Sequence, residues 1–414
     1  MRYRRTLLLT SALLLASVVE AKAQYYDGAT AANFLNYPAT PQALAMGEVG
    51  VSLVTRSAMS IIANPGLLGM QSLENNLNVG TSLQYSENYS FLASGVSYGP
   101  RLNSIWHELP FKAGIGVGYS YEELMFPFNA NGAPMGGTIT DYANSFTVGM
   151  GIDYFLRLGL GYSVELIKNT HPAFTPNIDQ PAANFGADLQ VPVLHLLYGT
   201  QNRSALNGKN IYPSLDVTAG YALRNVGGYV IKTPTYQLPL ARQSNLGWNW
   251  EFVLMSKVAG FDWKWFSFTW AREAMDQPFK VDSVFVGGPS GVSNWDYVVS
   301  YRNGPGSFSP WNDLIMGRPV AIAQLSKGWQ IGLGGFFYLQ GGSITYPGGP
   351  TAITSGWEMK LDGFLRSLVF FHVLSPNGSV THFLLRNLDL QFDYSASDAG
   401  GGISPLESLN LTLR

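Results

Sequence analysis

Along most of this chain the side chains alternate, with a period of two, between large apolar residues and very small or polar ones. In residues 111–121 one face carries Phe111, Ala113, Ile115, Val117, Tyr119 and Tyr121, and the other Lys112, Gly114, Gly116, Gly118 and Ser120. The same repeat sets Leu77, Val79, Leu83 and Tyr85 against Asn78, Gly80, Ser82 and Gln84. It returns with Leu156, Leu158, Leu160, Tyr162 and Val164 opposite Arg157, Gly159, Gly161, Ser163 and Glu165. A fourth copy sets Leu215, Val217, Ala219, Tyr221 and Leu223 against Asp216, Thr218, Gly220, Ala222 and Arg224. Successive side chains of a strand point to opposite faces, so this period demands extended strands with two unlike faces. Looser versions occupy residues 91–98, 146–152, 245–254, 263–270, 295–301, 329–338, 355–364, 388–394 and 406–413.

A soluble sandwich also alternates, but its outer face is rich in Lys and Glu and its inner face in large branched residues. Here charged residues are only 13% of the chain, against about 25% in soluble globular proteins. The polar phase is largely Gly, Ser, Asn and Gln, which suits a crowded lumen, and aromatics reach 13%. Strands of about 9–11 residues are long enough to cross a bilayer when tilted. Lipid offers no partner to an open sheet edge, so such strands must close on themselves. The expected fold is therefore all-β, a transmembrane antiparallel β-barrel, with a dozen to fifteen strand candidates and an even final number. Polar or Pro/Gly-rich stretches at 127–141, 168–181, 199–213, 276–294, 304–313, 347–354 and 395–404 read as its connections. Strand-end aromatics such as Tyr119, Trp248, Trp250, Trp263, Trp265, Trp329, Phe336, Tyr338 and Tyr394 fit girdles at the two water–lipid boundaries. The other reading is that some of them line a hydrophobic conduit.

The N-terminus explains how such a chain reaches a membrane. Arg2, Arg4 and Arg5 precede an apolar run at 7–19 and the small-residue site Ala21-Lys22-Ala23, the pattern of a secretory leader. The mature chain is expected from Gln24. Its removal takes away Arg2, Arg4, Arg5, Lys22 and Glu20, leaving 21 basic and 26 acidic residues, a net charge of −5. That is no footprint for nucleic acid. The chain has no Cys, which excludes a lipoprotein anchor and disulfides. No later run of 18 apolar residues exists to form a helical span.

Between leader and strands lies a small-residue stretch, 37–70, with an Ala45-Met46-Gly47 turn, a short amphipathic run at 56–62 and an Asn64-Pro65-Gly66 break. Pro65 biases Asn64 away from helix and Gly66 permits a sharp turn, so the stretch reads as a compact plug. The expected organisation is a leader at 1–23, a hatch at 24–75 and a barrel at 76–414. An enzyme is not expected, and neither a cofactor nor a metal site is. Gly95-Val96-Ser97-Tyr98-Gly99 matches G-x-S-x-G, but that motif works only at a strand-to-helix elbow, and here it ends a strand before Pro100. Gly114-Ile115-Gly116-Val117-Gly118 lies in mid-strand, with no helix to receive a dinucleotide. The five His, among them His107 and His171 in expected loops, form no ligand or catalytic pattern.

The plug stretch resembles the N-terminal signature of the FadL-like outer-membrane barrels, particularly their PorV/PorQ branch. The match runs from Ala43 through Ala45, Met46, Gly47, Gly50 and Val51 to Leu53, then through Asn64, Pro65, Gly66 and Leu67. Gly186-Ala187-Asp188-Leu189 and Gly220-Tyr221-Ala222-Leu223-Arg224-Asn225-Val226-Gly227 are similar to two later family segments. The ending Leu411-Thr412-Leu413-Arg414 lacks the family's usual terminal aromatic. The resemblance implies a 14-stranded barrel of the outer membrane of a Gram-negative bacterium, its N-terminal hatch in the lumen and its N-terminus on the periplasmic side. It implies a type IX secretion component that handles the C-terminal domains of secreted cargo. The alternative is a FadL-like transporter of long-chain fatty acids or other hydrophobic compounds; a passive porin is disfavoured by the hatch. Lumen charges, chiefly Arg157, Asp188, Asp216 and Arg224, are candidates to seat the hatch by pairing with groups such as Glu48 and Arg56. Solvated lumen charges with no fixed partner are the other reading.

Overall fold

The computed structural model describes residues 32–86, 89–104, 106, 109–130, 133–170, 178–198, 211–233, 236–258, 261–287, 293–301, 306, 308–317, 323–347, 349, 351–375, 378–398 and 405–414. The leader, residues 24–31 of the expected hatch, His107 and His171 lie outside them. The first strands are β1 (Asn76–Tyr85), β2 (Ser90–Gly99), β3 (Lys112–Ala130), β4 (Ala133–Asp153), β5 (Arg157–Thr170) and β6 (Ile178–Pro192). Next come β7 (Ile211–Gly227), β8 (Tyr229–Thr233), β9 (Tyr236–Pro239), β10 (Gln243–Val258), β11 (Phe261–Asp276), β12 (Phe279–Gly287) and β13 (Ser293–Tyr301). The chain finishes with β14 (Gln324–Leu333), β15 (Phe337–Thr345), β16 (Thr351–Lys360), β17 (Leu388–Ser397) and β18 (Leu406–Leu413). Fourteen of these close into one antiparallel barrel, in which β1 pairs with both β2 and β18, while β8–β9 and β12–β13 form separate two-stranded sheets.

The two-residue period sorts the wall as lipid would require. Ile115, Val117, Tyr119, Val148, Met150, Leu160 and Tyr162 point outward and are exposed, while the alternate positions are buried inside. An outward apolar band on a closed barrel is the form in which strands cross a bilayer. No described helix is long and apolar enough to do so.

Several expected boundaries are corrected. The stretch 127–141 is not a loop: β3 and β4 run to Ala130 and from Ala133, a hairpin of 19 and 21 residues that outreaches any bilayer. Residues 329–338 are not one strand but the end of β14, a turn, and the start of β15. Segment 295–301 is strand, yet it pairs only with β12 in an insertion between β11 and β14. Residue 364 is helical, because β16 stops at Lys360.

Both chain ends of the barrel lie at one end, here called the terminal end. The α-helices among the described residues are α1 (Pro41–Ala45), α2 (Ser60–Ala63), α3 (Gly66–Ser72), α4 (Val193–Tyr198), α5 (Leu361–Phe370) and α6 (Ser379–Asn387). Thr40 caps α1, its hydroxyl accepting from the Ala43 N–H at 3.2 Å, with Pro41 pre-set for a first helical turn. The α1–α3 segment packs against inward faces all round the ring.

Candidate functional site

The described part of the N-terminal segment, residues 33–73, is held by polar side chains that the strand period points inward. The Glu273 carboxylate of β11 accepts from the Gly50 and Val51 N–H groups at 2.7 and 2.9 Å, and Asn245 donates to its other oxygen at 2.7 Å. Asn249 of β10 donates to the Ser52 carbonyl. Thr354 of β16 donates to the Ala45 carbonyl at 2.8 Å, and Ser82 of β1 to the Ala39 carbonyl at 2.7 Å. Ser57 donates to Asn410 of β18 at 2.8 Å. These bonds satisfy backbone groups that a non-helical stretch would otherwise bury unpaired.

Where the segment turns, its sequence is dictated by backbone. Gly47 has φ 74°, and a Cβ there would lie 2.6 Å from the Lys327 carbonyl oxygen of β14 and 2.7 Å from that of Ser343 in β15. Both facts require glycine. Met46 fills the space over Gly328 and Gly342, and Ala45 sits against Gly356. Asn64 is fully buried: its amide donates to the Val51 carbonyl at 2.7 Å and to Asp188 at 2.8 Å, while its oxygen accepts from Gly66 N–H at 2.9 Å. That last bond opens α3, with Pro65 preceding its first residue. Pro65 and Gly66 press on β5 and β6, and Leu67 is fully buried behind them.

Of the four lumen charges singled out in the sequence, two touch this segment. Asp188 does so through Asn64, and Arg224 through the Leu35 carbonyl at 3.0 Å while its other nitrogen donates to Gln243. Arg157 and Asp216 do not: Arg157 pairs with Asp153 at 3.4 Å and donates to Gln190, which in turn donates to Asp216. Their register on β5 and β7 puts them at the terminal end, where they line the same cavity as Leu53, Arg56 and Gln71 of the segment. Glu48 and Arg56 also find other partners. Glu48 accepts from Gln324 at 2.8 Å, and Arg56 pairs with Glu74 at 2.8 Å and Asp389 at 3.3 Å. Loss of water around the Glu48 carboxylate, with the Glu273 charge adding and Gln324 offsetting, pushes it up to about 7. Loss of water also raises Glu74, but the Arg56 guanidinium, with Arg414 and Arg157 adding, more than reverses this and leaves it below its ordinary value.

The segment meets unlike surroundings on its two sides. At the far end the inward positions turn apolar: Phe91, Leu124, Ile167, Leu240 and Leu406 form a cluster around Phe34 and Leu35. Tyr37 stacks on Phe91 with ring centroids 5.6 Å apart. At the terminal end a cavity of about 360 Å³ is lined by Arg56, Glu74, Glu251, Lys264, Tyr338 and Lys360 among others. Its charges are mostly paired, Lys264 with Glu251 at 2.8 Å and Lys360 with Glu358 at 2.6 Å. The G-x-S-x-G serine, Ser97, points inward on β2 and donates to Gln71 of α3 at 3.1 Å. Tyr338 faces this cavity and Trp263 packs under α5, so neither belongs to a girdle.

Sequence reasoning missed Glu273, Asn249, Thr354 and Asp389 as anchors. Asn249 stood in the polar phase of 245–254, so its inward direction was readable although its partner was not. Glu273 fell beyond the segment read as ending at 270.

No family model matches this chain, and no curated protein matches it. Among solved structures it is similar to the deltaS2S3 mutant of the TodX monoaromatic hydrocarbon channel, with TM-score 0.38 and 11% identity over 91% of this chain and 97% of that one. It is also similar to the CymD monoaromatic hydrocarbon channel, with TM-score 0.24 and 10% identity over 91% and 96%. A third is the β domain of the Bordetella autotransporter BrkA, with TM-score 0.34 and 9% identity over 82% and 98%.

Proposed function

We propose that this chain is an integral outer-membrane barrel that binds and passes hydrophobic small molecules, such as long-chain fatty acids, with residues 33–73 as a hatch across its lumen. The observation that carries the reading is the apolar far-end lining, where Phe91, Leu124, Ile167, Leu240 and Leu406 pack inward on Phe34 and Leu35. A barrel that conducts aqueous solutes lines its interior with polar groups. An apolar lining of the lumen stabilises a ligand by removing apolar area from water, at about 25 cal/mol per Å². Phe34 and Leu35 now cover that lining, and a ligand would displace them. In this reading the terminal end with the N-terminus faces the periplasm.

Uptake of a labelled fatty acid and of a labelled monoaromatic hydrocarbon, by the parent strain and a strain lacking the gene, is the test. Lower uptake restored by the intact gene supports the reading, and equal uptake rejects it.

A second reading, a type IX secretion component engaging cargo C-terminal domains, is favoured by the motif form of residues 43–68. The surface proteomes of the same two strains separate the readings. Loss of surface proteins, with uptake unchanged, selects the secretion role.

A further inference from the structure

The connection between β16 and β17 is a helical hairpin whose sides are chemically distinct. On α5, Gly363 lies against the Gly335 backbone, and Ser367 and the Trp263 indole both donate to the Gly334 carbonyl, at 3.1 and 2.8 Å. Trp263 also stacks on Phe370 with centroids 4.4 Å apart, and Leu385 of α6 is buried in the same cluster. Arg366 and Arg414 clamp Asp362 at 3.1 and 3.0 Å. Burial alone would raise Asp362, but the two guanidinium groups hold it at about 2. The hairpin is therefore fixed to the terminal end of the barrel and cannot turn over.

Its opposite side is apolar and largely exposed, with Leu368 and Leu384 half-buried and Phe364 edge-on to Phe336. Phe364 and Leu368 of α5 and Phe371 at its C-terminal cap recur at helical spacing, and Val380, Phe383 and Leu384 do so on α6. Phe371, Val380 and Phe383 are 64%, 70% and 60% exposed. Beside that stripe on α6, Ser379, His382 and Arg386 form an exposed polar edge. An apolar stripe flanked by a polar edge is the pattern of a helix lying in a membrane surface.

We propose that α5 and α6 lie in the headgroup–acyl boundary at the terminal end, with these six apolar side chains in lipid. The proposal rests on the membrane-barrel reading. Lipid is the occupant because the stripe continues the barrel's outward face. Met359 and Phe392, paired across β16 and β17 next to the hairpin's two roots, are both exposed outward. At the same end Tyr154, Phe155 and Leu197 are exposed on other connections. The hairpin supplies the apolar belt where the β14–β15 turn offers Gly334 and Gly335.

The absence of Cys makes any introduced cysteine a unique label. Nitroxides are attached to F371C, F383C, R386C and V148C of the full chain, in vesicles of phosphatidylethanolamine and phosphatidylglycerol. Heat-modifiable gel migration confirms folding of each. The expected result is relaxation several-fold stronger by oxygen than by a water-soluble nickel chelate at positions 371, 383 and 148, and the reverse at 386. Aqueous behaviour at 371 and 383, with 148 still in lipid, overturns the proposal alone. Aqueous behaviour at 148 as well overturns the membrane reading and the proposal with it. Labels at 371 and 383 that are aqueous in vesicles but shielded from both reagents in native outer membrane would mean a protein covers the stripe, which also overturns it.

Discussion

Asn64 concentrates the seating of the N-terminal segment in one side chain. Its amide and oxygen serve a backbone carbonyl, a strand carboxylate and the first N–H of α3. Truncation leaves buried groups unpaired, at a cost of about 1–3 kcal/mol each. Asn64→Ala is expected to leave the barrel folded while protease cleaves the 33–73 region faster; unchanged cleavage would show that the bonds are dispensable. Glu48 gives the same equilibrium a pH dependence. Seated, it keeps its proton to about 7; released into water it returns towards 4.5, so the seated form holds more protons between these values. This contribution to seating is complete below about 4.5 and is lost as pH rises through about 7. Cleavage of the segment should be slower at pH 5 than at pH 8, and Glu48→Gln should flatten the profile. Faster cleavage at pH 5 would refute the assignment. The turn at Met46-Gly47 and the break at Asn64-Pro65 were legible from turn chemistry, whereas the partners of Glu48 and Arg56 were not. Which strand faces a plug residue depends on closure and shear, which no local pattern encodes.

At the scale of elements, α3 and the wall of β3–β6 fit because both give up side chains. A Cβ on Gly151 would lie 2.0 Å from the Gly69 carbonyl oxygen, backbone against backbone. Gly151→Val is therefore expected to unseat α3 without breaking the β3–β4 and β4–β5 ladders, since valine suits a strand. Faster hydrogen exchange over residues 60–73, with strand protection retained, is the predicted signature; loss of protection in β4 would instead show a folding defect. The glycine phase was visible in the sequence, but what it accommodates was not. The strand alternation failed at identifiable places. Between β14 and β15 a three-residue turn keeps the parity of outward positions, Leu333 pairing with Phe337, so the pattern runs on through the turn. At 355–364 the β16 phase passes into α5 without a break, because Gly363 obscures the helical period. β6 was missed as a strand because Pro181 and the small residues after it read as a connection.

The whole molecule is a closed wall with residues 33–73 packed against its inward faces, and the proposed hatch role rests on that arrangement. Hydrogen bonds tie residues 35–57 to β1, β7, β10, β11, β16 and β18, while α3 packs on β3–β6. Each such bond contributes only about 0.5–1.5 kcal/mol net, but they share one element, so releasing it means breaking many together. In the proposed hatch the far-end apolar cluster is a second barrier to water and ions, because Phe34 and Leu35 pack between inward-facing walls. Reconstituted in a planar bilayer, the intact chain is expected to show no steady ion conductance. The same barrel lacking residues 33–73, with folding checked by heat-modifiable migration, should show discrete open steps. Steady porin-like conductance from the intact chain would remove the hatch. A silent truncated barrel would place closure in the wall or its loops instead. A hydrophobic ligand need not open such steps, since displacing Phe34 and Leu35 from the apolar lining leaves the bonds of Ser52, Gly50 and Ala45 in place. Intact barrel that binds ligand while remaining electrically silent is the combined outcome this architecture requires.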